Sequence, residues 1–450
     1  MTVDEQPLLA SSSSSSLLLE EHHEEQDDDQ LVCCCERRGE GTSIAHGSAH
    51  LILTSVGAGL LSLPRACATV GVLLGVFISV FAGWCTYVCC DAIVVGCARD
   101  KAESYGALVR GLFGSGGYMA LQWSIIVHVY GVMIVYAVII GDVLVGDGTN
   151  GILPYMGLEG INRHVVVALV VFGVVTPILS HRTLDKVGAY SRVSVYCILY
   201  LAGTMVALCA IAVVQGESGL DSVHVWPHGL SRLGLVQAGF TSFAVTALAF
   251  TCHFNLIAVH SSLQDSRVSA MRHVMKGSSV FVTSLYTLVG LCGYMLFGSS
   301  VNGDVLRDMT IEFTASLVGS RTVAVVAIGL SMVAYCGALL VNYVLKVWAV
   351  RNALVEVFLQ KSEHDLHVVW YYSLTAVLVI SSVGISMAVP SVWFLAALIG
   401  STACAVFSYF FPGMLMVRRG SSVVKGYFMI TLSILLAVSG TIHTILQRHD

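Results

Sequence analysis

The chain is 450 residues long, 56% hydrophobic and only 11% charged, with a mean hydropathy of +0.80 and a formal charge of −5. Soluble domains carry about 25% charged residues, so one soluble core is excluded and no nucleic-acid partner is expected. What remains is a polytopic membrane protein whose solvent is the lipid bilayer.

Residues 1–43 differ in kind from everything after them. Ser11–Ser16 is a serine run and Glu20–Asp29 is almost wholly acidic or polar. Such a segment buries too little apolar surface to offset its ordering entropy, so a disordered cytosolic tail is expected. No positively charged stretch precedes a short apolar core, so no cleavable signal is expected and the first span does the targeting. Asp4, Leu8 and Leu9 resemble an acidic dileucine sorting signal, read by adaptor proteins, although a short polar tail also yields such matches by chance. Cys33–Cys35, beside Arg37 and Arg38, are palmitoylation candidates or inert thiols.

From residue 44 onward, apolar runs able to cross roughly 30 Å of hydrocarbon follow one another. They fall near 44–70, 72–96, 117–145, 163–181, 187–215, 233–260, 276–298, 320–347, 367–388, 390–417 and 423–446, eleven in all. Most of the 23 Lys and Arg then lie on the side of the N-terminus, among them Arg99, Arg272, Lys346, Arg351 and Arg419. By the positive-inside rule the N-terminus is cytosolic. The fourteen cysteines are scattered through these runs with no CxxC pair and no His/Cys spacing of a metal site. They read as packing residues, and neither metal nor cofactor is expected.

The first span contains its own contradiction. Leu51–Val56 and Leu60–Leu63 are apolar, yet Gly57-Ala58-Gly59 interrupts them and Pro64 and Arg65 follow. In lipid, a Gly-rich break is tolerable only where it packs on protein or lines a cavity. Close packing through small residues would explain the glycines equally well.

Here a family resemblance enters. His50 and Val56-Gly57-Ala58-Gly59-Leu60-Leu61-Ser62-Leu63-Pro64 resemble the first span of the amino acid/auxin permease family. Ser104-Tyr105 with Phe113–Gly117 resembles that family's loop between spans 2 and 3; Gly131, Tyr136 and Ile140–Val143 resemble span 3. Phe250-Thr251-Cys252-His253-Phe254-Asn255, then Asp265-Ser266-Arg267, resembles span 6 and the next loop. Gly293–Gly298 resembles the end of span 7 and Pro390–Pro412 resembles span 10. The resemblance covers nearly everything after residue 44. It implies the leucine-transporter fold: an all-α protein of eleven transmembrane helices, with a 5+5 inverted repeat, broken helices 1 and 6, and one extra C-terminal helix. The repeats would cover about 44–215 and 233–417, and the extra helix about 423–446.

A zwitterion inside a membrane needs donors for its carboxylate and acceptors for its ammonium. The exposed N–H groups of Gly57, Ala58, Gly59 and Leu60, with Val56 before them, suit the carboxylate. The unwound carbonyls near Phe250, Thr251, Cys252 and His253 suit the ammonium. Phe254, Tyr130 and Tyr335 are possible walls. His50, His128 and His253 are candidates for carrying a coupling proton, although a histidine bonded between helices is the plainer reading of each. Asp91 and Asp142, near span ends, suit salt bridges or interfacial water, and Arg65 suits an outer vestibule or snorkelling. Sodium-coupled members place an asparagine where Leu53 stands and a threonine hydroxyl near Val333–Tyr335; leucine offers sodium no ligand. The expectation is therefore an amino acid transporter, proton-coupled or uncoupled, in an endosomal, lysosomal, vacuolar or plasma membrane. The alternative is an amino acid sensor signalling through its tail. No HxxxxD, HExxH or GxSxG spacing supports an enzyme, and nothing suggests the repeated pore loops of a channel.

Overall fold

Where a helix in this chain stops is decided by glycines, prolines and capping hydroxyls rather than by loss of hydrophobicity. The computed structural model describes residues 28–32, 41–146, 151–180, 187–216, 222–359, 367–389 and 391–442. The expected sorting signal (Asp4, Leu8, Leu9) and Cys33–Cys35 lie outside them. The first half-helix, α1 (Ile44–Ser55), starts at Ser43, whose hydroxyl accepts from the His46 N–H. It ends where Val56 turns extended. A 3₁₀ turn over Ala58–Ser62 leads into α2 (Leu63–Val70), which takes Pro64 into its first turn, where a missing N–H costs nothing. The two halves are bent by 55° at the break.

Then follow α3 (Val72–Arg99), α4 (Tyr105–Leu144), α5 (Arg163–Val170), α6 (Val187–Gln215), α7 (Arg232–Ala249), α8 (Leu256–Ser262), α9 (Val268–Phe297), α10 (Ile311–Val318), α11 (Arg321–Leu359), α12 (Val368–Ser386), α13 (Val392–Ile399), α14 (Phe411–Arg419) and α15 (Val423–Leu435). Among the described residues nine helices are long and apolar enough to span a bilayer, and ten when the bent α1–α2 pair is counted as one. The expected fourth span is present as a shorter apolar helix, Arg163–Leu179. It contains a π turn over Val171–Val175.

Several expected boundaries move, and the seventh span begins at Val268 rather than 276. The third span begins at Tyr105 rather than 117, because Ser104 caps it and the turn falls inside it, at Gly114 (φ 70°). The eighth runs to Leu359 rather than 347, because Lys346 and Arg351 continue the helix instead of ending it. Arg351 is fully buried, stacked 3.9 Å over Tyr371 and donating to Thr375 Oγ1 at 2.8 Å. Part of the supposed tail is also docked. Leu31 accepts from the Val268 N–H, Asp28 pairs with Arg99 and Asp29 with Arg272, each at 2.8 Å. Acidic residues next to Arg99 and to Arg272, which also holds Asp91, account for that order.

The start of α1 defines a proximal face and the start of α2 points toward a distal one. α9 packs along α1, α2 and α3; α7 lies against α2, α3 and α13; α11 packs on α4 and α6. Asp91 pairs with Arg272 (2.7 Å) and Asp142 with Arg163 (2.7 Å), the salt-bridge reading of both aspartates. Arg65 does not face an open vestibule: its guanidinium donates to the Val301 and Ser299 carbonyls. With the Ser62 hydroxyl donating to Gly303 O at 2.8 Å, it holds the 298–308 loop over the distal side of the break.

Candidate functional site

Two interruptions in long apolar helices meet at the centre of the molecule. The first is Val56–Ser62. The second lies between α7 and α8, where Thr251 and Cys252 leave the helix and His253–Asn255 forms a single 3₁₀ turn. They touch directly. A Cβ on Gly59 would lie 2.6 Å from Ala249 Cβ and 2.8 Å from Ala249 Cα, so only glycine lets the first break lie on the end of α7. A Cβ on Gly57 would lie 2.8 Å from the Tyr136 hydroxyl of α4. Gly59 is therefore required by close approach to backbone, whereas at Gly57 a Cβ would meet only the tip of a side chain; neither has a positive φ.

Tyrosines hold this junction. Fully buried Tyr286 of α9 places its hydroxyl 2.8 Å from Ser55 O and 2.9 Å from Ala249 O, so one proton serves the C-terminal ends of both half-helices. Tyr335 donates to Gly57 O at 3.4 Å. The Tyr136 hydroxyl lies beside the first break, 2.8 Å from where a Cβ on Gly57 would stand. Within the turn, the Leu60 N–H returns to Gly57 O at 3.2 Å. Of the four N–H groups expected to face a carboxylate, those of Gly57, Ala58 and Gly59 thus remain without a partner among the described residues. On the second break, the carbonyls of Phe250 and Thr251 are in the same condition.

The remaining predicted residues are dispersed around this junction. The side chains of Val56 and Leu60 are buried in the core. The Phe250 ring packs edge-on against Tyr286 (5.0 Å), away from the cavity. Thr251 Oγ1 donates back to Leu248 O. The Cys252 thiol lies 3.9 Å from that of Cys90, and these two with His253 come within 4.8 Å of one another. That meeting of α3 with the break could not be read from spacing along the chain. Tyr130 turns away to Ser381, at 2.6 Å.

Two cavities open at the junction. A small one, about 30 Å³, is lined by Gly57, Ala58, Gly59, His128, Tyr136, Ala249 and Thr251. It has room for a water or two but not for an amino acid. A larger one, 370 Å³, lies proximal to it between α1, α8 and α11, and is lined by His50, Leu53, Phe254, Asn255, Asn342 and Trp348. Thr54 and Lys346 line both and mark where they join. The distal side is shut by the 298–308 loop.

The three histidines accordingly separate. His50 stands exposed in the proximal cavity. His128 lines the small cavity, edge-on to Phe407 at 4.9 Å, with Nδ1 unpartnered. His253 is 1% exposed and packs against Phe407 and Tyr409, with both ring nitrogens unpartnered, and lines neither cavity. What sequence reasoning missed is Lys346. Its position near the end of a span made it a proximal-side loop cation, whereas its ammonium sits in the site, 5.2 Å from the Phe254 ring centre. A helical signal continuing past it to Leu359 was the available clue.

In the distal loop, Asp304 is 2% exposed and its carboxylate accepts from the Leu306 N–H at 3.0 Å. Burial, and then the nearby Asp142, push its carboxyl well above the usual carboxylate range.

Comparison with known proteins agrees with this architecture. Residues 40–446 match the family model described as transmembrane amino acid transporter protein. The chain is 26% identical to the amino acid transporter AVT6C of Arabidopsis thaliana, over 90% of this chain and 93% of that one. It is 26% identical to vacuolar amino acid transporter 5 of Schizosaccharomyces pombe, over 81% and 82%. Among solved structures, a substrate-bound, outward-open Na⁺-coupled sialic acid symporter superposes with a TM-score of 0.55 at 10% identity, covering 96% of both chains. That likeness carries the fold alone.

Proposed function

The chain belongs to the transmembrane amino acid transporter family and has the leucine-transporter fold, and we propose that within it the protein moves amino acids by alternating access, driven by protons. It is an integral multi-pass membrane transporter, not an enzyme. The observation that carries the proposal is the junction of two helix breaks with spare donors on one and spare acceptors on the other. Substrate carboxylate goes to the Gly57 and Gly59 N–H groups and to the Tyr136 hydroxyl, which can turn to donate. Substrate ammonium goes to the Phe250 and Thr251 carbonyls. A neutral zwitterion then satisfies four buried backbone groups that lipid cannot.

The geometry also supports a direction of opening. The distal side is closed by Ser62, Arg65 and the 298–308 loop, while the 370 Å³ cavity lies proximal. Loop charge favours a cytosolic proximal face. Proton coupling is favoured over sodium because Leu53, at the junction, supplies no side-chain oxygen. The vacuolar relative and the Asp4, Leu8, Leu9 signal favour an endomembrane, with a sorting adaptor as partner.

Uptake of radiolabelled amino acids into proteoliposomes tests this, with Gly57→Leu as the site control. Leucine at 57 would collide with Tyr136, so uptake should be abolished; uptake equal to wild type would sink the site. A sodium gradient that drives accumulation at constant pH would sink the coupling. The sensor reading is favoured by one observation, the docking of Asp28–Val32 on α9 and α3. Under it, deleting residues 1–27, which leaves the docked segment and the Ser43 cap of α1 in place, would abolish signalling while little net flux existed to lose; a transporter keeps its uptake.

A further inference from the structure

Among the described residues, Lys346 is the one lysine, arginine, aspartate or glutamate that lines either cavity at the junction, and it lines both. No carboxylate pairs with it among the described residues; its ammonium lies over the face of Phe254, 5.2 Å from the ring centre. The groups around it can be named element by element. His50 and Thr54 come from α1, His128 and Tyr136 from α4, and Phe254 and Asn255 from the second break. Among the described residues α13 contributes only Val392 and Ala396, and α6 and α12 contribute none to these two cavities. An ammonium without a carboxylate, at the centre of a membrane protein, is costly to keep and marks function by default.

Its position says what that function is. Thr54 and Ser55 end α1, and the C-terminal end of a helix carries the negative pole of its dipole and prefers a cation. The side chain of Leu53 offers no oxygen for a free ion there. A lysine ammonium brings the same charge, but it differs in two respects: it cannot leave, and it can give up its charge as a proton.

We infer that Lys346 is a tethered coupling cation. Protonated, it supplies the positive charge at the end of α1 that holds the two breaks around a bound amino acid. Deprotonated, it lets them part. The step is a proton transfer alone: an ammonium N–H bond breaks, the amine keeps the electron pair, and the proton passes to water in the proximal cavity. His128 and His50 lie on either side of that route and relay the proton without holding the charge that α1 requires. This inference rests on the amino acid transport proposed above and assigns its coupling group.

The test uses the purified full chain in proteoliposomes with a radiolabelled mixture of protein amino acids. Two modes are read: accumulation driven by a pH gradient, and counterflow exchange at equal pH. Lys346→Arg keeps a charge that does not titrate; Lys346→Met keeps the stem and removes the charge. Wild type should accumulate label above the external concentration, and both variants should fall to simple equilibration. Lys346→Arg should retain several-fold more counterflow than Lys346→Met, which should lose most of it. Gradient-driven accumulation by either variant at the wild-type level would overturn the inference. So would a folded Lys346→Arg that exchanges no better than Lys346→Met; its folding is checked by size-exclusion profile and melting temperature. If wild type exchanges amino acids but a pH gradient drives no accumulation, the inference fails and the transport reading stands. If wild type does neither, the transport reading itself has failed.

Discussion

Tyr286→Phe removes one oxygen from a fully buried ring and leaves the edge-on contact with Phe250 in place. No cavity large enough for water is created, so the effect comes from hydrogen bonding alone. The lost O–H is shared between Ser55 O and Ala249 O, the ends of the two half-helices. One net hydrogen bond is worth about 1 kcal/mol, and a buried carbonyl left without a partner costs about 1–3 kcal/mol. Because a single proton served two acceptors, only one carbonyl at a time loses a donor, and the total should fall near 2–3 kcal/mol. Thermal unfolding of the purified protein, beside wild type in the same detergent, reads it as a lowered midpoint. Transport should suffer more than stability does. The hydroxyl fixes the separation of the two breaks, so the variant should show a raised half-saturation constant in counterflow. A midpoint within error of wild type, with unchanged counterflow, would mean that the breaks are not joined through this hydroxyl.

Gly59→Ala forces a Cβ against the backbone of Ala249, which cannot swing aside; overpacking of this kind costs about 1–3 kcal/mol. Ala249→Gly should recover part of the loss, and purely additive effects in that double-mutant cycle would deny the contact. Arg163→Ala leaves nearly buried Asp142 without its 2.7 Å partner, and because Arg163 is about a third exposed the loss should be about 1–3 kcal/mol rather than the larger cost of a fully buried pair. A melting point equal to wild type would count against that pair. Asp304 gives a pH signature. Its native carboxyl titrates well above the unfolded value of about 4, so its contribution is fully present below that value and is lost as pH rises through the raised native one. Asp304→Asn, which keeps the acceptor for Leu306, should therefore melt no lower than wild type at alkaline pH and should flatten the decline between acid and base. A steeper decline would refute it.

How much of this was legible beforehand depends on the range of the interaction. Span positions and the break at Gly57-Ala58-Gly59 are local properties of composition and glycine placement, and they were readable; the partner break at Thr251-Cys252 has no glycine near it and was implied only by the family resemblance. The fates of the individual N–H groups were not. Leu60 is spoken for by its own turn, which only the folded break reveals. Cys90, Cys252 and His253 converge through the packing of α3 on the second break. Nothing in their sequence spacing encodes that meeting.

The charged residues make the sharper case. A positive-inside count treats every Lys or Arg near a span end as a loop residue, because solvation is the cheapest place for a charge. Arg351 escapes that rule by stacking on Tyr371 and bonding Thr375 inside α11. Asp28 and Asp29 escape the opposite expectation, that an acidic tail stays solvated, by meeting Arg99 and Arg272. Each of these exceptions is explained by a partner. Lys346 has neither an ion-pair nor a hydrogen-bond partner among the described residues, and with Thr54, near the end of α1, it lines both cavities. A fold that leaves this ammonium to a ring face has kept it available for a ligand or a proton. Neither end of that choice was visible in the sequence, because it depends on α11 continuing past residue 347 and turning this face toward the break.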